Sequence, residues 1–414
     1  MYIFLVFLFF LLVGCFNESS VETNTEESLE RGYWLDAGLI PGEGRGKWGL
    51  GLYNVKRMGN RLFVSNSRVE SLNPNMYNVQ IFTALQGSSA WDTLKPPEQV
   101  KAFNIYVDSL GLFVGTHKTG EVWQYKPNTK EWINLNAPKL DSNTYLNVYG
   151  LTRYQGKLII AFSGKTAEQT ISPILEQQQD GSWTNISPPY DPQPFDKANM
   201  DKPFYFTEAL EWRGKLFAIT VSYGVWMYDG VAWSHIPNPP EPIWWLNSIY
   251  FIDYGGVRKP RSMVIHKDRL YVGQYAKGGV HALQDNFQEW VAIDSVQHYN
   301  VGTDSGYTVS NPQANIYAMA SDGKDLFVAG ADPGIPMVYM GDDRGEPKGW
   351  RVIDRVGWCP KGKFACLGID VNDMVVLGDT LYAAAWEGLF KFPLAKLDSV
   401  LSREKSYRGL TKDW

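Results

Sequence analysis

A short sequence motif recurs along the chain: a turn of small or charged residues, then a run of β-branched and aromatic residues. This pattern predicts a tight hairpin that leads into a buried strand. Units of this kind, repeated about every 50 residues, cannot bury their apolar faces alone and must stack against one another. The copies stand at residues 59–64, 110–114, 155–160, 213–218, 267–272, 323–328 and 378–383.

Each copy of the motif is followed by two further segments that predict strands. A third strand carries a glycine and an aromatic residue, as in residues 120–125, 224–228 and 388–392. A fourth carries a tryptophan just after a turn. Four short antiparallel strands in each unit predict an all-β fold, a seven-bladed β-propeller. The fourth-strand tryptophans are Trp91, Trp132, Trp183, Trp233, Trp290 and Trp350.

The last repeat lacks its own fourth-strand tryptophan. Residues 33–39, which contain Trp34, are similar in sequence to the fourth strand predicted at residues 131–135. We therefore predict that an N-terminal strand closes the last blade, which would remove an open sheet edge. The rival for that position is Trp414, at the end of a long polar connection.

The repeats resemble those of sensor-type propellers in two-component regulators and, more loosely, kelch and sialidase-like propellers. Residues 112–116 with 120–125 are the closest unit, and the resemblance covers most of residues 31–414. It implies the fold, but fold alone does not carry a function. Residues 303–307 come nearest to a sialidase Asp-box and lack its spacing to tryptophan.

Composition narrows the functional classes. The 414 residues would ordinarily suggest two or three domains, but the repeats indicate one ring. A net charge of −5 gives no basic surface for nucleic acid. Three cysteines exclude a disulfide scaffold, and the five histidines have no metal-ligand spacing. No cofactor is predicted.

The N-terminus carries a targeting signal. Residues 1–13 are almost entirely apolar, and residues 11–15 resemble the lipobox of bacterial lipoproteins. That resemblance implies a signal peptide at 1–14, cleavage after Gly14 and a lipid on Cys15. No Lys or Arg precedes the apolar run, so an uncleaved anchor helix is the alternative.

The predicted organisation follows from that signal. Residues 15–30 are polar and acidic and would form a disordered tether. Residues 31–414 would form the propeller, with 398–414 as a candidate polar tail. We expect a lipid-anchored, monomeric protein of the bacterial cell envelope. Phe16 is compatible with the outer membrane in a bacterium that has one.

The predicted binding face carries the long connections between blades, at residues 186–206, 237–256, 294–316 and 354–372. Insertions gathered on one face of a repeat array are typical of a binding surface. One connection is rich in aromatic residues, which would contact a sugar ring or a partner protein or else pack over a blade edge. The candidates there are Trp244, Trp245, Tyr250, Tyr254 and Arg258.

A second set falls five residues after the repeat leucine, where the second strand meets its loop. His117, Tyr275 and Trp386 hold this position in three repeats and would contact a ligand at the channel mouth. The alternative for His117 is a structural histidine. Cys359 and Cys366 lie in one connection, and we predict a disulfide between them in an exported protein. A metal pair would require further ligands.

These features favour a non-catalytic binding module for a glycan or an envelope protein. No nucleophile elbow, phosphate loop or HExxH stretch is present. The alternatives are an exported glycosidase or lyase and an envelope assembly scaffold. Two carboxylates and a basic residue converging at the axial pocket would favour the enzyme, whereas aromatic residues without them would favour binding.

Overall fold

The computed structural model describes residues 35–37, 52, 54–66, 80–97, 102–138, 145–165, 170–188, 206–220, 224–237, 260–274, 280–293, 315–331, 337–340, 349–353, 371–385 and 388–407. Candidate residues outside these ranges are Cys15, Trp244, Trp245, Tyr250, Tyr254, Arg258, Tyr275, Cys359, Cys366 and Trp386.

In this part of the chain the strands form seven antiparallel sheets, which we call blades and number in chain order. Blade 1 contains β2 (Asn54–Met58), β3 (Arg61–Ser65), β4 (Ile81–Leu85) and β5 (Asp92–Leu94). Blade 2 contains β6 (Ala102–Asp108), β7 (Gly111–Thr116), β8 (Val122–Lys126) and β9 (Glu131–Asn134). Blade 3 contains β10 (Tyr145–Tyr154), β11 (Lys157–Lys165), β12 (Thr170–Ile171), β13 (Ile174–Gln177) and β14 (Trp183–Asn185).

The other blades continue in the same way. Blade 4 contains β15 (Phe206–Trp212), β16 (Lys215–Thr220), β17 (Gly224–Tyr228) and β18 (Trp233–His235). Blade 5 contains β19 (Pro260–His266), β20 (Arg269–Gln274), β21 (Val280–Leu283) and β22 (Trp290–Ile293). Blade 6 contains β23 (Asn315–Ser321), β24 (Leu326–Ala331), β25 (Met337–Met340) and β26 (Gly349–Val352). Blade 7 contains β27 (Val371–Leu377), β28 (Thr380–Ala385), β29 (Gly388–Pro393) and β1 (Leu35–Asp36).

The first strands of the blades surround the axis. Each contacts the first strand of the next blade, and β27 of blade 7 contacts β2 of blade 1, so the ring closes. The prediction of an all-β propeller built from four-stranded antiparallel blades is confirmed.

The N-terminal strand closes the last blade, as the sequence predicted. Strand β1 pairs antiparallel with β29, with Leu35 opposite Lys391. The Ala37 N–H then donates to the Leu389 carbonyl at 2.9 Å. The fourth strand of blade 7 therefore comes from the opposite end of the chain, and the ring is closed by hydrogen bonds as well as by packing.

The core lies between blades. Leu112 and Val114 of β7 pack with Phe63 and Ile81 of blade 1. Phe113, between them, faces the other way and packs with blade 3. The sequence of a second strand that is buried on both faces must be a continuous apolar run, which explains the repeated motif. Each of the other seams has a similar cluster shared by two blades.

Three of the fourth-strand tryptophans join neighbouring blades at the outside of the ring. The indole N–H of Trp91 in blade 1 donates to the Ala37 carbonyl of blade 7 at 3.1 Å. Trp233 donates in the same way to Ile186 of blade 3, and Trp290 donates to Pro237 of blade 4. These three tryptophans are thus packing residues with a polar handle and not exposed ligand platforms.

The C-terminal segment differs from the expected polar tail. After a 3-10 turn at Leu394–Lys396, residues Leu397–Tyr407 form helix α1. Leu397, Val400 and Leu401 are buried in the cluster between blades 6 and 7. These residues recur at helical spacing and give an otherwise polar segment one apolar face, which the sequence reading overlooked.

We expect Leu216→Ala to lower the free energy of unfolding by about 2–5 kcal/mol, because Leu216 is fully buried between blades 3 and 4. Val231→Ala is the control, since Val231 is 89% exposed on a hairpin. Chemical denaturation of both variants would measure the difference. Equal stabilities for Leu216→Ala and the parent would contradict the packing described here.

Candidate functional site

The two faces of the ring are built differently. One face, here called the loop face, holds the turns between second and third strands and the ends of strands that lead from blade to blade. The opposite hairpin face holds the turns between first and second strands and between third and fourth strands. In repeat rings, binding residues lie mainly on the face where the connections vary, so we expect the binding surface on the loop face.

A rigid platform stands on the loop face at blades 2 and 3. The turn after β7 lies beside the start of β10, and Thr119 forms a parallel bridge with Leu146. The Leu146 N–H donates to the Lys118 carbonyl at 3.3 Å, and the Gly120 N–H donates to the Leu146 carbonyl at 3.2 Å. The Lys118 N–H donates to Asn147 Oδ1 at 3.0 Å. Residues 116–120 and 145–147 therefore form one unit, the blade 2–3 platform.

Local chemistry fixes the turn of this platform. Thr116 Oγ1 accepts from the Glu121 N–H at 2.8 Å and lies 2.7 Å from Thr119 Oγ1. Lys118 adopts a φ of 71° and Gly120 a φ of 64°. A Cβ at Gly120 would lie 3.0 Å from the Leu146 Cβ, so this close approach requires glycine.

Blade 3 extends the platform. Strands β10 and β11 run for 10 and 9 residues, longer than the first two strands of the other blades, and β12 pairs with the end of β11 at Lys165 and Gly164. The third strand of this blade is interrupted between β12 and β13, where the Phe162 N–H donates to the Pro173 carbonyl at 3.0 Å. The long β10–β11 hairpin therefore extends regular sheet structure at the loop face.

His117 is the one predicted binding residue within the described ranges. It follows the second strand of blade 2, one strand away from the axis, and is 4% exposed. That burial beneath the platform favours the structural alternative over direct ligand contact. The exposed side chains of this turn are those of its neighbours Lys118 and Thr119.

The axial channel is lined by the first strands, whose inner edges pair with no other described strand. Side chains of the preceding blade bond to these edges. Asp373 Oδ2 of blade 7 accepts from the Val55 N–H of blade 1 at 2.9 Å, and Glu208 Oε2 of blade 4 accepts from the Met263 N–H of blade 5 at 3.3 Å.

Side-chain donors also reach from one blade to the next in the same direction. Asn372 Nδ2 donates to the Leu52 carbonyl at 2.8 Å, and Thr152 Oγ1 donates to the Ala209 carbonyl at 3.0 Å. Asn104 donates to the Tyr149 carbonyl. Because unpaired backbone groups are costly when water is excluded, these bridges stabilise the inner wall.

A charged cluster occupies the channel. Lys56 Nζ lies 2.7 Å from Asp373 Oδ2. Burial disfavours the charge of Lys56, but the carboxylates of Asp373 and Glu208 outweigh it and raise the pKa of the ammonium. Lys56 is therefore positively charged at neutral pH.

The sequence reading missed Lys56, Glu208 and Asp373 as site residues, although a signal was present. Asp373 and Glu208 each stand eight residues before a repeat leucine, and so do Asn54 and Asn104. Polar residues at one fixed position of the first strand would have indicated a polar inner wall.

Within the described residues, no group of three or more His, Cys, Asp or Glu residues is placed to hold a metal ion. None of the helices found there combines the length and apolar character that crossing a membrane requires.

Comparison with known proteins shows the fold. No protein-family model matches the sequence, and no curated protein matches it. The extracellular domain of the putative one component system BT4673 from B. thetaiotaomicron superposes with a TM-score of 0.55 at 12% identity. The match covers 87% of this chain and 40% of that chain, so this chain spans well under half of that protein.

YCF48 gives similar matches over nearly its whole length. YCF48 bound to D1 peptide superposes with a TM-score of 0.52 at 10% identity, covering 87% of this chain and 97% of that chain. YCF48 from Cyanidioschyzon merolae gives a TM-score of 0.52 at 12% identity, covering 87% and 99%. At these identities the likeness shows a β-propeller and nothing finer.

The inner wall also contains a tyrosine with a perturbed pKa. Burial, and then the Asp108 carboxylate, raise the pKa of Tyr106 from its ordinary value to about 12, against the opposing charge of Arg153. The folded state holds this phenolic proton more tightly than the unfolded state. Its contribution to stability is therefore complete below the unfolded pKa of about 10 and is lost as the pH rises towards 12.

We expect the stability difference between the parent and Tyr106→Phe to shift in favour of the variant between pH 10 and about 12, because phenylalanine has no proton to lose. Denaturant unfolding at a series of alkaline pH values would measure it. A difference that stays constant over this range would contradict the burial of the phenol.

Proposed function

We propose that this protein is an exported, membrane-tethered and non-catalytic binding module that holds a protein partner on its loop face. The observation that carries the proposal is the blade 2–3 platform, where the turn after β7 is tied by backbone hydrogen bonds to the start of β10. A partner that docks on such a surface does not have to order it first.

The platform has both exposed and buried polar side chains. Lys118 and Thr119 are exposed above it, while His117 and Asn147 are buried below. The aromatic candidates Trp244, Trp245, Tyr250 and Tyr254 belong to a connection that begins and ends on the same face. Rigid aromatic residues beside a polar rim are typical of protein-binding surfaces.

The comparisons support this class of function without identifying a partner. One of the similar propellers, YCF48, has its structure in complex with the D1 peptide. The similar domain of BT4673 is extracellular, in line with an exported protein. The lipid on Cys15, the tether at 15–30, the envelope location and the Cys359–Cys366 disulfide rest on the sequence and belong to the same proposal.

The enzyme alternative gains one observation from the channel, which holds two carboxylates and a lysine. Their contacts favour a structural or binding role over catalysis. Asp373 already accepts from the Val55 and Met374 N–H groups and from Lys56. A lysine that acts as a base needs a lowered pKa, whereas the pKa of Lys56 is raised.

The test is selection of a phage-displayed peptide library on immobilised residues 31–414, with a polysaccharide panel assayed in parallel for binding and for released oligosaccharides. We expect peptides whose binding is lost in Lys118→Glu or in Trp244→Ala/Trp245→Ala. Lys130→Glu is the matched control, since Lys130 is also exposed on blade 2 but lies on the hairpin face.

Other results would change the proposal. Binding of polysaccharide alone, lost with Trp244 and Trp245, would identify a glycan as the ligand. Release of oligosaccharides would establish an enzyme. Peptide binding that Lys130→Glu abolishes and Lys118→Glu leaves intact would place the partner on the opposite face.

A further inference from the structure

One row of backbone pairing crosses the blade 2–3 platform and continues into blade 3. Thr119 is bridged to Leu146, which lies opposite Gly164 in the β10–β11 pair. Gly164 in turn lies opposite Ile171 in the β11–β12 pair. Residues 118–120 therefore extend the sheet of blade 3 by one segment, on the edge of β10 that does not pair with β11. Among the described strands, none pairs with the outer side of this segment.

The hydrogen bonds of the segment fix the direction of the Thr119 backbone groups. The Lys118 carbonyl and the Gly120 N–H both bond to Leu146. In a planar trans peptide the N–H and the C=O point in opposite directions. The Thr119 N–H shares a peptide with the Lys118 carbonyl, and the Thr119 carbonyl shares one with the Gly120 N–H. Both Thr119 groups therefore point away from β10.

This donor and acceptor stand on a rigid support at the surface. Thr119 is exposed, and its Oγ1 lies 2.7 Å from Thr116 Oγ1. Within the described ranges, neither its N–H nor its carbonyl has a hydrogen-bond partner. An exposed strand edge of this kind is a template for pairing with another chain.

We propose that the protein partner binds the platform by strand addition, with an extended segment of the partner bonded to the backbone of Thr119. This inference rests on the proposed function and names the form that the partner presents. In an antiparallel pair, one residue of the partner donates its N–H to the Thr119 carbonyl and accepts from the Thr119 N–H. In this mode the main-chain bonds hold the segment, and neighbouring side chains select it.

The geometry favours an extended chain over other occupants. The backbone groups in the body of a helix are already bonded within the helix, so they offer nothing to Thr119. A sugar hydroxyl could bond to one of the two groups but would not continue the row of pairing through Leu146 and Gly164. Because the row is already ordered in the protein, only the partner segment has to be ordered on binding.

The test is an N-methyl scan of a peptide from the library selection, with binding measured on the full chain in a non-ionic detergent. Each N-methyl group removes one N–H and leaves the side chains in place. We expect one position to lose about tenfold or more in affinity, because its N–H donates to the Thr119 carbonyl. The two adjacent positions should lose much less, because their N–H groups point the other way. Hydrogen exchange at the Thr119 amide should slow in the complex.

Gly120→Ala tests the platform itself, and Gly214→Ala is its matched control. Both glycines have a φ in the left-handed region, 64° and 69°. A Cβ at Gly120 would lie 3.0 Å from the Leu146 Cβ, whereas a Cβ at Gly214 would have no atom within 4 Å. Both changes strain the backbone, but only Gly120→Ala moves residues 118–120 away from β10. It should weaken peptide binding, and Gly214→Ala should not.

The outcomes separate this inference from the proposed function. Peptide binding that Lys118→Glu abolishes, but that has no single N-methyl-sensitive position, would overturn strand addition and leave the binding function in place. Unchanged exchange at the Thr119 amide in the complex would do the same. Absence of any peptide binding would overturn both. If Gly120→Ala does not fold, the N-methyl scan decides alone.

Discussion

The unpaired inner edge of each first strand is the constraint on which this ring depends. In the part of the chain that the structure describes, a first strand is hydrogen-bonded to its own blade on one side and to no sheet on the side that faces the axis. Side chains of the preceding blade meet this need, as Asp373 does for Val55 and Glu208 for Met263. Such bridges link blade 7 to blade 1, blade 2 to blade 3, blade 3 to blade 4 and blade 4 to blade 5, and removing one would leave a backbone group unpaired at that seam.

The same logic governs the outer parts of the blades. Each second strand divides its apolar residues between two neighbours, so no blade has a core of its own. The seam between blades 7 and 1 must then be as well packed as the others, although the chain ends meet there. Strand β1, the Trp91 indole on Ala37 and the Asp373–Lys56 pair close it at the outside and at the axis.

The sequence predicted most of the fold because the repeated residues are the ones that this packing requires. The leucine and aromatic positions of the second strand and the fourth-strand tryptophans are dictated by neighbours that recur in each unit. Helix α1 was missed because its apolar face, Leu397, Val400 and Leu401, is short and surrounded by polar residues. The channel cluster was missed because Lys56 and Asp373 are 317 residues apart in the sequence and meet only through the closed ring.

The loop face and the axis are held together in different ways. On the loop face, backbone pairing at Leu146 provides stiffness and leaves recognition to exposed side chains, which suits a large partner. At the axis, closure of the ring brings Lys56 of blade 1 and Asp373 of blade 7 into an ion pair at 2.7 Å. Similarity to propellers at 10–12% identity shows the scaffold and carries no ligand across. The exposed side chains of the platform, and not the ring itself, therefore have to decide what the protein binds.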